Sequence, residues 1–299
     1  MSPTSQKSGL LGLGSIGAAL ARVYLRAGFE VTAWNRTQDR KEITDVAAAG
    51  ATISDTVEST LSSAPVIITC VLNYDTTYAI LKHVPPASLA HKTIINLTNG
   101  TPKEARNMSV WIKQRSVSTY IDGGIMATPT LVGTNQSFVF YSGEKQKEID
   151  KLQDFLLPLG RIDYVGEDPG AAALHDLALL AGMYGMQAGA MTAMALLNKA
   201  GDAHQRLSST VEGNLIPWLQ ALLPSLADLA RSVDDEDFDA HGRTNAMKFS
   251  SLSNVMRTCE DEGVDPGAVL FLYKAVGGAV EENGGDKGLA LVVQQFLKH

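Results

Sequence analysis

Residues Gly12-Leu13-Gly14-Ser15-Ile16-Gly17 decide the fold. An apolar run, Gly9–Leu13, leads into them and reads as a strand; an amphipathic stretch, Ile16–Ala27, leads out and reads as a helix. Three glycines at that spacing between those two elements have one joint explanation. Gly12 permits the tight turn, Gly14 lets backbone approach a pyrophosphate, and Gly17 lets the helix pack closely on the strand. The helix N-terminus, with its unpaired N–H groups, faces the phosphates. Gly12, Leu13, Gly14, Ser15, Ile16 and Gly17 are therefore candidate dinucleotide contacts.

The next strand, Glu30–Trp34, ends in Asn35-Arg36-Thr37. An NAD-binding protein places Asp or Glu there to hold the ribose 2′-hydroxyl. Here the position carries neutral Asn35, and Arg36 and Thr37 follow, which suits a 2′-phosphate and so NADPH; a purely solvated Arg36 is the alternative. Further β-rich runs, Val66–Leu72, Thr93–Leu97, Tyr120–Asp122 and Ser137–Ser142, alternate with helical segments. That order predicts an α/β fold whose N-terminal part is a doubly wound parallel sheet of the Rossmann type. Ligands bind at the carboxyl ends of such strands, which adds Val71 and Leu72 to the cofactor candidates. Asn99, in Thr98-Asn99-Gly100-Thr101-Pro102, fits either a ribose or substrate contact or the common Asn-Gly turn.

After Gly166-Glu167-Asp168-Pro169-Gly170 the texture changes to helices, punctuated at Gly201, Pro217, Pro224, Asp234–Asp237, Gly263–Pro266 and Gly284–Asp286. The expected organisation is a dinucleotide domain over residues 1–168, a long interdomain helix over 169–198, and an all-α C-terminal helical bundle over 199–299. The helix from Gly170 to near Asn198 would be about 40 Å long. It is apolar, yet it carries His175, Asp176 and Tyr184, and isolated ionisable groups in apolar surroundings are costly unless they do proton chemistry. Tyr184 falls about 12 Å along and about 80° around the helix from Asp176. Asp176 also fits an acid favoured by the helix dipole, and Tyr184 an ordinary packing aromatic. His175 is expected to point away and make a structural contact. Ala178, Gly182, Gly185, Gly189 and Ala193 form a small-residue stripe that fits close packing within one subunit or interleaved helices of a dimer.

A net charge of −7 argues against a nucleic-acid partner. Cys70 and Cys259 have no metal-ligand spacing and point to a reducing compartment without disulfides. The polar stretch Met1–Ser8 lacks the features of a secretory signal, and Leu297-Lys298-His299 is no retention or peroxisomal ending. The apolar run Ala188–Leu197, taken with Gly170 onward, is interrupted by His175, Asp176, Gln187 and Thr192, so no membrane span is expected. These features together predict a cytoplasmic enzyme.

Several segments together resemble the imine reductases, in particular their fungal reductive-aminase branch, within the superfamily of β-hydroxyacid dehydrogenases and 6-phosphogluconate dehydrogenase. They are Gly12–Gly17, Asn35-Arg36-Thr37, Thr93–Pro102, Gly123-Gly124-Ile125-Met126-Ala127-Thr128-Pro129 and Leu174-His175-Asp176-Leu177-Ala178-Leu179-Leu180. The resemblance implies a homodimer with exchanged helices and an active site between the N-domain of one subunit and the C-domain of the other. It implies NADPH-dependent reduction of imines, with a carbonyl compound and a small primary amine as substrates in the fungal branch. It also implies catalytic roles for Asn99, Asp176 and Tyr184, and a pocket shaped by Trp218 and Met247. Read from the residues alone, Trp218 fits core as well as pocket. Lys248 is a departure, since members of that branch carry Gln there, and it puts a cation at the pocket edge.

The dehydrogenase relatives place a lysine in the first turn of the long helix, followed by an Asn-Asn pair. Here Leu174 and Leu177-Ala178 occupy those positions, and Met126-Ala127-Thr128 replaces their Ser-Gly-Gly substrate loop. Without the lysine, a hydroxyl proton has no obvious acid to handle it. An iminium, by contrast, already carries positive charge and asks for a carboxylate beside the C=N bond, which Asp176 supplies. The alternatives are a β-hydroxyacid-dehydrogenase-like oxidoreductase and a non-catalytic NADPH-binding dimer.

Overall fold

A computed structural model describes residues 6–199 and 206–296, so the expected break at Gly201 and the end of the chain lie outside the described residues. Eight strands form one sheet: β1 (Lys7–Leu11), β2 (Glu30–Trp34), β3 (Thr52–Ile53), β4 (Val66–Thr69), β5 (Thr93–Asn96), β6 (Thr119–Met126), β7 (Phe138–Ser142) and β8 (Arg161–Tyr164). Their order is β3-β2-β1-β4-β5-β6-β7-β8, so the chain winds outward one way from β1 and then the other way from β4. The doubly wound α/β expectation holds, with one correction to its parallel character. β7 runs antiparallel to β6, because residues 127–137 between them are turns without a helix, and a parallel return needs a longer crossover.

The central strands are buried on both faces, as parallel strands covered by helices must be. Successive residues take opposite sides. Leu10, Ile68, Ile95 and Ile121 face a core that includes Leu20, Tyr24 and Phe155, whereas Leu11, Ile67, Ile94 and Tyr120 face one that includes Ala105, Met108, Ile112 and Tyr74. Strand bounds differ from the expected ones mainly at the carboxyl ends. The runs read as Gly9–Leu13, Val66–Leu72 and Thr93–Leu97 end at Leu11, Thr69 and Asn96, because the following residues leave the ladder to line a cavity. The run read as Tyr120–Asp122 extends to Met126, and β3 and β8 were not anticipated. β3 is only two residues long, and β8 (Arg-Ile-Asp-Tyr) carries charges at an edge.

The chain divides into two compact units, Met1–Leu180 and Ala181–His299. The helix Ala171–Lys199 begins in the first and continues into the second. The second unit contains the helices Ser225–Asp234, Asn245–Asp261, Ala268–Asn283 and Ala290–Phe296. Its core gathers Val276, Ala279 and Val292, with Phe249, Leu252 and Leu289 packed against them. Among the described residues after Tyr164 no strand forms; Asp239 and Lys287 make an isolated bridge. Pro217 does not break its helix as expected. It follows a π-helical segment, Val211–Leu215, and sits in the first turn of Ile216–Leu222, where a missing N–H is tolerated. Among the described residues no helix is long and apolar enough to cross a membrane.

Candidate active site

The glycine-rich turn leaves β1 where the winding direction reverses, between β2 and β4. Gly12 has φ +104°, and a Cβ there would lie 2.3 Å from the Cys70 carbonyl oxygen. A Cβ on Gly17 would lie 2.1 Å from the Gly12 carbonyl oxygen, so the turn closes only with glycine at both positions. Gly14 differs: nothing lies within 4 Å of a Cβ placed there. It is the N-cap of the helix Ser15–Arg26 and contributes no side-chain cap, so the first N–H groups face open space. This cradle, constricted at Gly12 and Gly17 and open at Gly14, fits a pyrophosphate.

Above it lies a cavity of about 540 Å³, lined by the glycine-rich turn, the loop after β2, the ends of β4 and β5, β6, and the long helix as far as Leu180. At one end, the Asn35 side-chain oxygen accepts the Leu13 N–H (2.9 Å), and its amide nitrogen donates to the Thr37 carbonyl (2.7 Å). Asn35 thus ties the glycine-rich turn to the loop that presents Arg36 and Thr37, both exposed at the cavity. Arg40 lines the same end and was missed from the sequence; a second cation four residues after Arg36 was the available signal. Val71 and Leu72 also line the cavity, with Leu72 almost wholly exposed, and burial pushes the neighbouring Cys70 thiol up to about 12.

At the other end stands Asp176, 6% exposed and lining the cavity. Its carboxylate accepts a 2.7 Å hydrogen bond from the Asn99 amide, 77 positions away in sequence. Asn99 is therefore more than a turn residue. Burial raises the Asp176 carboxyl above its ordinary range, and the Asn99 hydrogen bond opposes the rise. The start of the long helix is pinned firmly. Arg106 grips Asp168 through two bonds (2.8 and 2.6 Å), Asp168 accepts the Gly170 N–H, and Ser142 both donates to the Pro169 carbonyl and accepts the Ala172 N–H. His175 points away as expected, with its ring against Phe140 and Nδ1 at the Ala171 carbonyl. Gly124 of β6 makes room for the acid: a Cβ there would sit 2.7 Å from the Asp176 Cβ. Ile125 and Ala127 line the cavity on either side of Met126, which is half-buried and pairs with Phe138.

A second acid, unremarked in the sequence, lies on the same strand. Asp122 is 1% exposed and accepts hydrogen bonds from the Tyr74 hydroxyl (2.7 Å), the Tyr120 hydroxyl (3.0 Å) and the Asn96 amide (3.2 Å). Burial pushes its carboxyl up to about 7, against the pull of the three donors, and the negative charge of Asp176 adds to the rise.

Tyr184, Trp218, Met247 and Lys248 belong to the second unit. Tyr184 is 60% exposed on the long helix, four residues beyond Leu180, and Trp218 and Met247 are likewise exposed. Lys248 is half-buried, its ammonium donates to the Arg243 carbonyl, and burial lowers its proton affinity.

A glycine cradle at the switch point of a doubly wound sheet, with arginines at one end of the cavity and a buried acid at the other, defines a dinucleotide-binding protein with a second, chemical site. Residues 7–166 match the family described as the NAD binding domain of 6-phosphogluconate dehydrogenase, and residues 168–298 match the NADPH-dependent reductive aminase-like C-terminal domain. The chain is 35% identical to the NADPH-dependent reductive aminase of Aspergillus oryzae over 295 residues, 98% of this chain and 97% of that one. It belongs to the reductive aminase family. Among solved structures, a reductive aminase from Aspergillus terreus in complex with NADPH4, cyclohexanone and allyl amine superposes with a TM-score of 0.89. That alignment has 35% identity and covers 98% of this chain and 100% of the other. An imine reductase from Myxococcus stipitatus in complex with NADP+ matches with a TM-score of 0.87 at 28% identity, covering 98% and 100%.

Proposed function

We propose that this chain is an NADPH-dependent imine reductase and reductive aminase, acting on the imine or iminium formed from a carbonyl compound and a primary amine. The observation that carries this reading is the buried carboxyl of Asp176, held by Asn99 in the cavity that the dinucleotide cradle opens into. Gly12, Leu13, Gly14, Ser15, Ile16 and Gly17 would hold the pyrophosphate of NADPH. Asn35, Arg36 and Thr37 would hold its 2′-phosphate, and Val71, Leu72 and Asn99 the nicotinamide half. Bound there, NADPH supplies a hydride.

Asp176, ionised, stabilises the cation of an iminium in a site poor in water, where a fixed charge counts for most. Before reduction it accepts a proton from the incoming ammonium, which its raised proton affinity favours, and returns that proton to the carbinolamine hydroxyl as water leaves, so that it is ionised again beside the iminium. Asn99 fixes the carboxylate in place, and Tyr184 orients amine or water. Met126, Trp218, Met247 and Lys248 complete the substrate pocket.

We further propose a cytoplasmic homodimer, with residues 1–168 as cofactor domain, 169–198 as the connecting helix and 199–299 as substrate and dimerisation domain. Both cysteines are free, which suits a reducing compartment. A second copy is favoured because, apart from the helix's own neighbouring residues, no described atom lies within 4 Å of a Cβ built on Gly182, Gly185 or Gly189.

The deciding assay follows NADPH consumption with cyclohexanone alone, with a cyclic imine, and with cyclohexanone plus allyl amine. Consumption with the imine, or only when carbonyl and amine are combined, is expected; consumption with the ketone alone would make the chain a carbonyl reductase. Asp176→Ala should lower kcat by about 10²–10⁴ while leaving NADPH affinity nearly unchanged. Unchanged turnover would remove Asp176 from the chemistry.

A further inference from the structure

Asn99 donates the hydrogen bond that holds Asp176, yet it is exposed at the cavity and lies in a stretch, residues 97–101, without regular structure. Its own burial does not fix it, so the loop beneath it must. That loop is fastened at both ends. The Thr98 hydroxyl accepts the Val71 N–H (3.2 Å), and Thr101 and Glu104 form a capping box at the start of the helix Pro102–Lys113. Between these fastenings, Gly100 rests on the ring of Tyr74: a Cβ there would lie 2.4 and 2.5 Å from two of the ring's edge carbons.

Tyr74 is 4% exposed and begins the helix Tyr74–Leu81, whose N-cap Asn73 accepts the Thr76 N–H (2.9 Å). Its hydroxyl reaches both oxygens of Asp122 (2.9 and 2.7 Å), which also accept from Tyr120 and Asn96. The ring is thus held at its backbone and at its hydroxyl, and it does not swing aside as the tip of a flexible side chain does. We propose that Tyr74 is a positioning residue for the reaction: its ring is the support on which the backbone of Asn99 and Gly100 rests, and so it sets where the Asn99 amide meets Asp176. Glycine at position 100 is the complement of that support, since the ring occupies the place of a side chain. The effect matters because a hydrogen bond weakens steeply once its geometry is lost. This inference rests on the reading of Asn99 and Asp176 as reacting groups, yet the support itself is measurable without turnover.

The test is the NMR signal of the Asn99 side-chain amide in the full-length protein, labelled at asparagine nitrogen and identified by its loss in Asn99→Ala. Bonded to a carboxylate, that amide proton resonates downfield of a free one. Gly100→Ala pushes a methyl group into the fixed ring, and Tyr74→Ala removes the ring. Each should move the signal to the free-amide position and lower kcat by roughly tenfold or more. Tyr74→Phe keeps the ring; it should lose stability through the donor missing at Asp122, yet keep most of the downfield shift and of the rate. A wild-type signal in folded Gly100→Ala overturns the support, and that variant decides the matter if Tyr74→Ala does not fold. A Tyr74→Phe variant that loses the bond as fully as Tyr74→Ala also overturns it, since the hydroxyl and not the ring would then be acting. A purely packing role would lower stability without moving the signal. A signal that moves while kcat holds upholds the support and overturns the reading of Asn99 as part of the chemistry.

Discussion

Gly124 carries a hydrogen where any other residue would place a methyl group into Asp176, and the geometry of the acid depends on that absence. A Cβ at 2.7 Å from the Asp176 Cβ and 3.2 Å from its carboxyl carbon must push the long helix or the carboxyl away. Gly124→Ala should cost about 1–3 kcal/mol of stability through overpacking, read from denaturant unfolding. With Asp176 in the proposed catalytic role, it should also cost kcat more than tenfold, because displacements of about 1 Å in such a group are that expensive. The buried partner on the same strand gives a prediction about pH. Asp122 is held at about 7 when folded, against 3.8 as its ordinary value. A folded carboxyl that binds its proton more tightly than the unfolded chain favours the fold below the ordinary value and loses that advantage as pH rises through the folded one. Wild-type stability should therefore fall between about pH 4 and pH 7, by on the order of 1 kcal/mol per unit at most, and level off above. Asp122→Asn should remove that contribution to the slope; a variant whose stability tracks the wild type across this window would show that Asp122 ionises normally.

At the scale of elements, the loop after β2 works as one device. Asn35 spends its side chain inside the protein, bonded to Leu13 and Thr37, and so positions the loop; the cations beside it, Arg36 and Arg40, face the cavity. Arg36→Ala and Arg40→Ala should each weaken NADPH far more than NADH, measured as the ratio of dissociation constants, and equal losses would move the 2′-phosphate elsewhere. Most of this element was legible in the sequence, because a glycine pattern between a strand and a helix constrains backbone directly. Asp176 was legible for a related reason: an acid in an apolar helix is an anomaly that local pattern exposes. Asp122 was not. It lies in Tyr-Ile-Asp-Gly-Gly-Ile, a run that reads only as a strand, and its partners Tyr74 and Asn96 come from elements 48 and 26 residues away. Strand ends were misread by one to three residues where apolar residues leave the ladder to face the cavity, since hydrophobicity does not distinguish burial by a neighbour from burial by a ligand. Pro217 was misread as a helix break because a π-helical segment accommodates it without a signal in local composition.

At the scale of the molecule, the long helix Ala171–Lys199 raises the question of what covers it. Beyond Leu180 it presents Met183, Tyr184, Met186 and Met191, each more than a third exposed, alongside glycines with open space beside them. Glycine in a helix interior costs about 1 kcal/mol relative to alanine, so three of them in eight residues need a compensating close approach. In the proposed homodimer a second copy of the same chain would supply one by symmetry, with burial of Met186 and Met191 contributing roughly 1.5–3 kcal/mol per side chain. Replacing both with Glu would place charges in that interface while leaving the dinucleotide cavity, whose lining stops at Leu180, unaltered. Sedimentation equilibrium should give a dimer for the wild type and a monomer for Met186→Glu/Met191→Glu, with wild-type stability alone rising with protein concentration. The monomer should still bind NADPH near wild-type affinity, because every group of the glycine cradle and the Arg36 loop lies within the first unit. Its turnover should fall steeply if the substrate pocket is completed by the partner. A wild type that sediments as a monomer would refute the homodimer, and a monomeric variant with full turnover would place the whole substrate pocket within one chain.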